Sequence, residues 1–229
     1  MLEHGIEFLK DGHMKQQKKK TTHERRQRNR KEDILNAARE LFLKNGYNPT
    51  TIEQIARHAG YSKRSVYLDF KKKDDLFITI CNEGLFIVCD KLLSIPSTIG
   101  FESYITRYLE TIAVFSHEHA DFFRMLTADV TPEIIANCSP VVSKQAMEIE
   151  NAGISVLAEA VERAMKSGVI TAGDAWEVAE ILIGSVVGII MLSMGGSQAM
   201  LSYDKMKLKV KKLGKIACRG LISSDRKKR

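Results

Sequence analysis

The chain reads as all-α, a small basic helical domain in front of a larger helical body. Three observations predict this. Apolar residues recur at three- and four-residue spacing from Ile34 to Leu221, the period of helices with one buried face. No segment of any length alternates polar and apolar residues as a half-buried strand does. The four prolines of the 229-residue chain fall at gaps in the helical pattern. A chain of this length can bury a sizeable core.

The formal net charge of +7 is unevenly placed. Between Met14 and Phe77, 17 Lys and Arg oppose 8 Asp and Glu, whereas residues 78–229 are neutral. A basic front and a neutral body predict that the front meets a polyanion. A merely soluble surface would not confine its excess charge to one end.

Residues 1–13 end in His-Met before Met14, resemble a cloning-site remnant and are set aside. Residues 14–31 (KQQKKKTTHERRQRNRK from Lys15) lack apolar periodicity and read as a flexible basic arm. The first helix follows to about Lys44, burying Ile34, Leu35, Ala38, Leu41 and Phe42. Gly46 ends it, and Pro49 keeps the next stretch from helix before Thr51.

From Thr50 to Lys73 the chain reads TTIEQIARHAGYSKRSVYLDFKKK. Thr51 and Gln54 have the spacing of a capping box, and Ile52, Ile55 and Ala56 mark one buried face. Ala59-Gly60 suits a left-handed cap, and Ser62 caps a second helix whose Val66 and Phe70 face inward. Two helices, a glycine turn and a first turn of Lys-Arg-Ser make a helix-turn-helix pattern. On spacing alone, an ordinary helical pair fits as well.

The flanking residues separate the two readings. ILNAARELFLKNGYNPTTIEQIARHAGYSKRSVYLDFKKKDDLF, from Ile34, resembles the N-terminal domain of the TetR family of bacterial transcriptional repressors. The matching elements run from Ile34-Leu35 through Ala37-Ala38, Leu41-Phe42, Gly46-Tyr47 and Thr50-Thr51 to Ile55-Ala56. Ala59-Gly60, Ser62, Val66-Tyr67, Phe70, Lys73 and Leu76 complete the register. The resemblance implies a three-helix helix-turn-helix DNA-binding domain over 32–73 and a helical effector-binding and dimerisation domain over 74–229. It implies phosphate contacts for Thr51, Tyr67 and Lys73. On the physics, Ser62 leaves free amides at a helix start, Lys63 and Arg64 can read guanine, and Ser65 permits close approach. Tyr47 matches a position that either touches phosphate or only packs. Leu68-Asp69 departs from the family pattern, and Asp69 would repel the backbone unless it pairs with Arg64 or Lys72.

After Lys73, Asp74-Asp75 open a long helix, IPSTIG is a loop, and a stripe from Phe101 to Phe115 marks the next helix. DFFRMLTAD reads as a short helix, and from Pro132 a long one runs to Lys166-Ser167-Gly168, with a break near Ser139-Pro140. Ala175–Met194 is apolar on nearly every side; its run from Ile181 ends at Gly195-Gly196, short of the ~20 residues a membrane span needs. Such a helix is buried all round. With the amphipathic helix from Ser202, it predicts a homodimer interface of Ile183, Gly184, Val187, Gly188, Met191, Met206, Val210 and Leu213. The pair resembles the C-terminal helices that form the four-helix dimer interface of the family.

The remaining chemistry is thin. Cys81, Cys89, Cys138 and Cys218 form no CxxC and suit reduced residues of a cytosolic protein, and no signal peptide is read. His117 and Asp121 share a helical face, but two ligands fall short of a metal site. No nucleophile triad, phosphate loop or HExxH occurs, so neither enzyme activity nor a cofactor is expected. Tyr104, Tyr108, Phe115, Phe122, Met125, Met147 and Trp176 are read as lining a small-molecule pocket, or else as plain core. The expected protein is a repressor that binds a palindromic double-stranded DNA operator as a homodimer and leaves it on binding an inducer. The competing classes are a helical enzyme or carrier and a non-specific chromosome-coating protein.

Overall fold

The computed structural model describes residues 22–171, 173–194 and 202–221; residues 1–21, with the first part of the basic arm, lie outside them. Ten α-helices are described: α1 Thr22–Asn45, α2 Ile52–His58, α3 Lys63–Asp69, α4 Lys73–Leu93, α5 Phe101–Glu118, α6 Ala120–Arg124, α7 Pro132–Asn137, α8 Pro140–Lys166, α9 Ala175–Met194 and α10 Tyr203–Leu221. No strand occurs among the described residues.

By contacts the chain divides into two compact units. One runs up to Glu83 and adds Arg124–Glu148; the other takes Gly84–Phe123 and everything from Ile149. The first extends past the expected boundary at Lys73, because Leu76, Phe77, Ile78 and Ile80 of α4 are buried. Phe77 stacks edge-on against Phe42 of α1, centroids 5.1 Å apart.

In the first unit, α1, α2 and α3 touch one another around Ile34, Ala38, Phe42, Ile55 and Val66. α2 ends in a Schellman motif: Tyr61 N–H donates to Ala56 O (2.8 Å) and Gly60 N–H to Arg57 O (3.2 Å). Gly60 sits at φ 74°, which explains a glycine there. The stretch expected as one short helix divides into α6 and a π-helical turn, Met125–Asp129. Asp75, buried at the start of α4, accepts from Ser139 N–H at 2.6 Å and so braces the break between α7 and α8.

Residues 22–31, read as part of the flexible arm, are helical and continue α1. Arg and Gln are good helix formers, Arg28 and Glu32 pair at i,i+4, and Arg30 is tied to a distant carboxylate described below. Periodicity missed this because a helix with few buried positions has no apolar stripe to show.

In the second unit α5 packs against α9 and α10. Gly214 permits close approach of α10 to α5: a Cβ there would stand 3.0 Å from Thr106 Oγ1. Val161, Ala164 and Ile170 form a satellite cluster with Phe101, Met165, Val169 and Leu221. Counted over its full 20 residues, α9 is long and apolar enough to cross a membrane, contrary to the shorter count from Ile181. Length and composition alone decide little, since it also carries Glu177 and Glu180 and packs one face on its own unit.

Candidate nucleic-acid interface

The capping chemistry that starts α2 and α3 also sets out their polar groups. Thr51 Oγ1 accepts from Gln54 N–H (3.2 Å) while Gln54 Oε1 accepts from Thr51 N–H (2.8 Å), the reciprocal box the spacing predicts. Ser62 Oγ accepts from Ser65 N–H at 3.1 Å and lies 2.9 Å from Ser65 Oγ. Thr51 and Ser62 are exposed, and Ser65 is half-buried. Tyr61 at the turn donates to Asp33 Oδ2 (2.8 Å), and His58 Nε2 lies 2.7 Å from Glu40 Oε2, fastening α2 and the turn to α1.

With Val66 and Phe70 in the core, α3 turns Lys63, Arg64, Tyr67 and Leu68 to solvent. Lys63 Nζ hydrogen-bonds Glu53, which raises the lysine pKa and lowers that of the glutamate; it also lies 5.9 Å from the Tyr67 ring centroid. Arg64 is exposed, with no partner in the protein among the described residues. Around this helix Arg57, Lys71 and Lys72 are exposed, as are Arg25, Arg26 and Arg28 on α1.

Three expectations change. Asp69 pairs with neither Arg64 nor Lys72. Arg30 holds it, Nε to Oδ2 at 2.8 Å and Nη2 to Oδ1 at 3.0 Å, and its side chain is 2% exposed. A carboxylate so covered is removed from the exposed face of α3. Lys73 does not point its ammonium outward. Nζ donates to Tyr47 O (2.9 Å) and Thr50 O (3.0 Å), with Asn48 O at 3.5 Å, and lies 3.9 Å from the Tyr47 ring centroid. An ammonium has three protons, so none is left for phosphate; burial lowers its pKa. Tyr47 is likewise a packing residue: its hydroxyl donates to Asp74, and its ring meets Phe42 and Phe77.

The expected pocket residues have different settings. Tyr104, Tyr108, Phe115 and Met125 are buried, and the two tyrosine hydroxyls donate to backbone, Tyr108 to Gly153 O (2.9 Å) and Tyr104 to Val156 O (3.4 Å). Met147 is 51% exposed; Trp176 is also exposed and donates from Nε1 to Glu180 Oε1 at 2.9 Å. These two side chains are open to solvent rather than enclosed. Met125 and Met147 fall in the first unit, the other five residues in the second. A groove of about 340 Å³ in the second unit is lined by Lys91, Ser94, Ile95, Pro96, Arg107, Glu110, Thr111 and Val114, none of the expected seven. Among the described residues no three His, Cys, Asp or Glu gather as a metal set, and His117 stacks on Tyr203 at 4.1 Å.

The expected dimer residues divide too. Met206 and Val210 are buried inside their own unit, because α10 turns that stripe onto α5, so neither offers surface to a partner. Ile183, Val187 and Leu213 are half-buried. Gly184, Gly188 and Met191 lie toward the open side of α9, where a Cβ on either glycine would meet nothing within 4 Å. Periodicity placed a stripe on each helix without saying which stripe its own chain would cover. Ile181, Leu192, Met194, Leu208 and Ile216 are among the exposed apolar residues it passed over.

A capped two-helix pair with a glycine turn, braced by α1 and presenting cations on the second helix, defines a three-helix helix-turn-helix domain. Residues 34–80 match the family model described as bacterial regulatory proteins, tetR family, so the front domain is similar to the DNA-binding domain of that family. HTH-type transcriptional regulator QacR of Staphylococcus aureus is 48% identical over 54 residues, 24% of this chain and 29% of that protein. YhgD of Bacillus subtilis, an HTH-type transcriptional regulator, is 26% identical over 162 residues, 70% of this chain and 82% of its own. The chain thus spans less than a third of QacR's length, and that likeness is one of the front domain. Among solved structures, a tetR-family regulatory protein from Rhodococcus RHA1 aligns with TM-score 0.67 at 18% identity, covering 86% of this chain and 98% of that one. FadR of Bacillus subtilis in complex with stearoyl-CoA aligns with TM-score 0.65 at 17% identity, over 82% and 98%. At these identities the likeness is one of fold.

Proposed function

We propose that this protein is a ligand-responsive transcriptional regulator, a repressor that binds a palindromic operator as a homodimer and is released by a small-molecule inducer. The observation that carries the reading is the recognition helix. α3 turns Arg64 outward with no partner in the described protein and hides Asp69, the one acid on the helix. Thr51, Ser62, Lys63, Ser65 and Tyr67 would sit against phosphates and base edges around it. A helical carrier or enzyme has no use for such a face.

Support for the dimer is the open side of α9, with Ile181, Met191 and Leu192 exposed, beside α10 with Leu208 and Ile216. Two such pairs about a two-fold axis would bury this surface, and the axis would impose an inverted repeat on the operator. Support for a small-molecule effector is the fold shared with FadR bound to stearoyl-CoA. In that scheme the ligand favours a body state in which the two heads fit the operator poorly, a coupling between sites. α4 contributes to both contact units.

Selection from random double-stranded DNA tests the reading. The expected product is one inverted repeat, preferred over bulk DNA by ~4–10 kcal/mol. Enrichment of no sequence would leave only non-specific binding. Stearoyl-CoA is the first probe for release.

A further inference from the structure

Leu68 is 59% exposed on a face of α3 whose other outward residues are Lys63, Arg64 and Tyr67. It buries little against its own chain, and no cap or core uses it. α3 has seven residues, so its length is ~10 Å at ~1.5 Å per residue. The major groove is ~12 Å wide and accepts such a helix whole, last turn included. At ~3.6 residues per turn, Arg64 and Leu68 straddle the line opposite the core residue Val66, one turn apart. They are the outermost side chains of the helix. The acid that follows, Asp69, is turned back onto Arg30 and does not repel DNA.

In the major groove the apolar group on offer is the C5 methyl of thymine, and a leucine on the outermost line of a cationic helix matches it. Side chains four apart on a helix stand ~5–6 Å from each other, and successive bases of a strand are ~3.4 Å apart. We infer that Leu68 reads a thymine methyl within about two base pairs of the base that Arg64 reads. The inference rests on the front domain binding DNA sequence-specifically, as proposed above.

The test removes one methyl at a time. With a site selected from random DNA, comparison of the wild type and Arg64→Ala locates the base that Arg64 reads. Each thymine nearby is then replaced by deoxyuridine, which differs only in lacking the methyl. The expected result is one position per half-site where the replacement weakens the wild type about fourfold, the worth of one buried methyl. Leu68→Ala should be weaker on the thymine site and indifferent to the replacement; an exposed position lets it fold. Lys71→Ala, as a control, should keep the methyl dependence. Absence of methyl dependence within two base pairs, or its persistence in Leu68→Ala, would overturn the inference. If selection enriches no site at all, sequence-specific binding itself fails, and this inference falls with it.

Discussion

Arg30 grips Asp69 with two parallel hydrogen bonds, 2.8 and 3.0 Å, joining the N-terminal half of α1 to the end of α3 across 39 residues of sequence. The fork fixes orientation as well as distance, which a lysine would not do. One pair thereby ties α1 to α3 and neutralises an acid next to the exposed face of α3.

The first prediction concerns this pair. Arg30→Ala leaves a covered carboxylate without its cation, and should cost about 1–3 kcal/mol in urea unfolding, less than a fully buried pair because Arg30 is partly exposed. Asp69→Asn should cost less. Arg30→Ala combined with Asp69→Ala should be less damaging than the sum of the single changes, a coupling of ~1 kcal/mol or more. Strict additivity would mean that the two side chains act independently.

Lys73 provides the second. Three carbonyls occupy its ammonium, so Lys73→Met should lower the melting temperature, by ~1–2 kcal/mol of stability. The slope of log affinity against log salt should stay as in the wild type. A lysine on phosphate would instead take about 0.9 from that slope when removed. A reduced slope with unchanged stability would return Lys73 to the DNA contacts.

Some of this was legible in the sequence and some was not, for a definite reason. Thr51, Gln54, Gly60, Ser62 and Val66 act over four or five residues, and local chemistry determines them wherever the rest of the chain goes. Arg30 with Asp69, and Lys73 with the Tyr47 and Thr50 carbonyls, lie 23–39 residues apart and become visible only once the fold joins them. Met147 and Trp176 were chosen for the pocket by residue type, and type does not say which side of a helix faces the core; both are exposed. Leu68 did leave a signal, an apolar residue off the Val66–Phe70 stripe, but it registered only as a departure from the family pattern.

A third prediction follows from the cysteines. All four are buried and free. Burial pushes the Cys89 thiol up to about 12 and those of Cys138 and Cys218 to about 11, with Cys81 raised as well. The thiolate is the reactive form, so at pH 8 the folded protein should react slowly with a disulfide reagent at every cysteine. In denaturant all four should titrate at once. A thiol that reacts within the mixing time would contradict its burial.

The last prediction separates the two stripes of the C-terminal helices. Leu192 is 79% exposed, whereas Val210 faces α5 with no exposure. A charge at Leu192 or Ile181 therefore meets water in the isolated chain and conflicts only with a partner, while a charge at Val210 enters the chain's own core. Ile181→Glu with Leu192→Glu should give a folded protein that sediments as one chain, near 25.8 kDa, with operator affinity lost. Val210→Glu should instead unfold the body, since an unpaired buried charge costs several kcal/mol. The wild type at micromolar concentration should sediment at twice the single-chain mass. A wild type of one-chain mass would remove the dimer and with it the inverted repeat, since the two-fold axis is what pairs the half-sites.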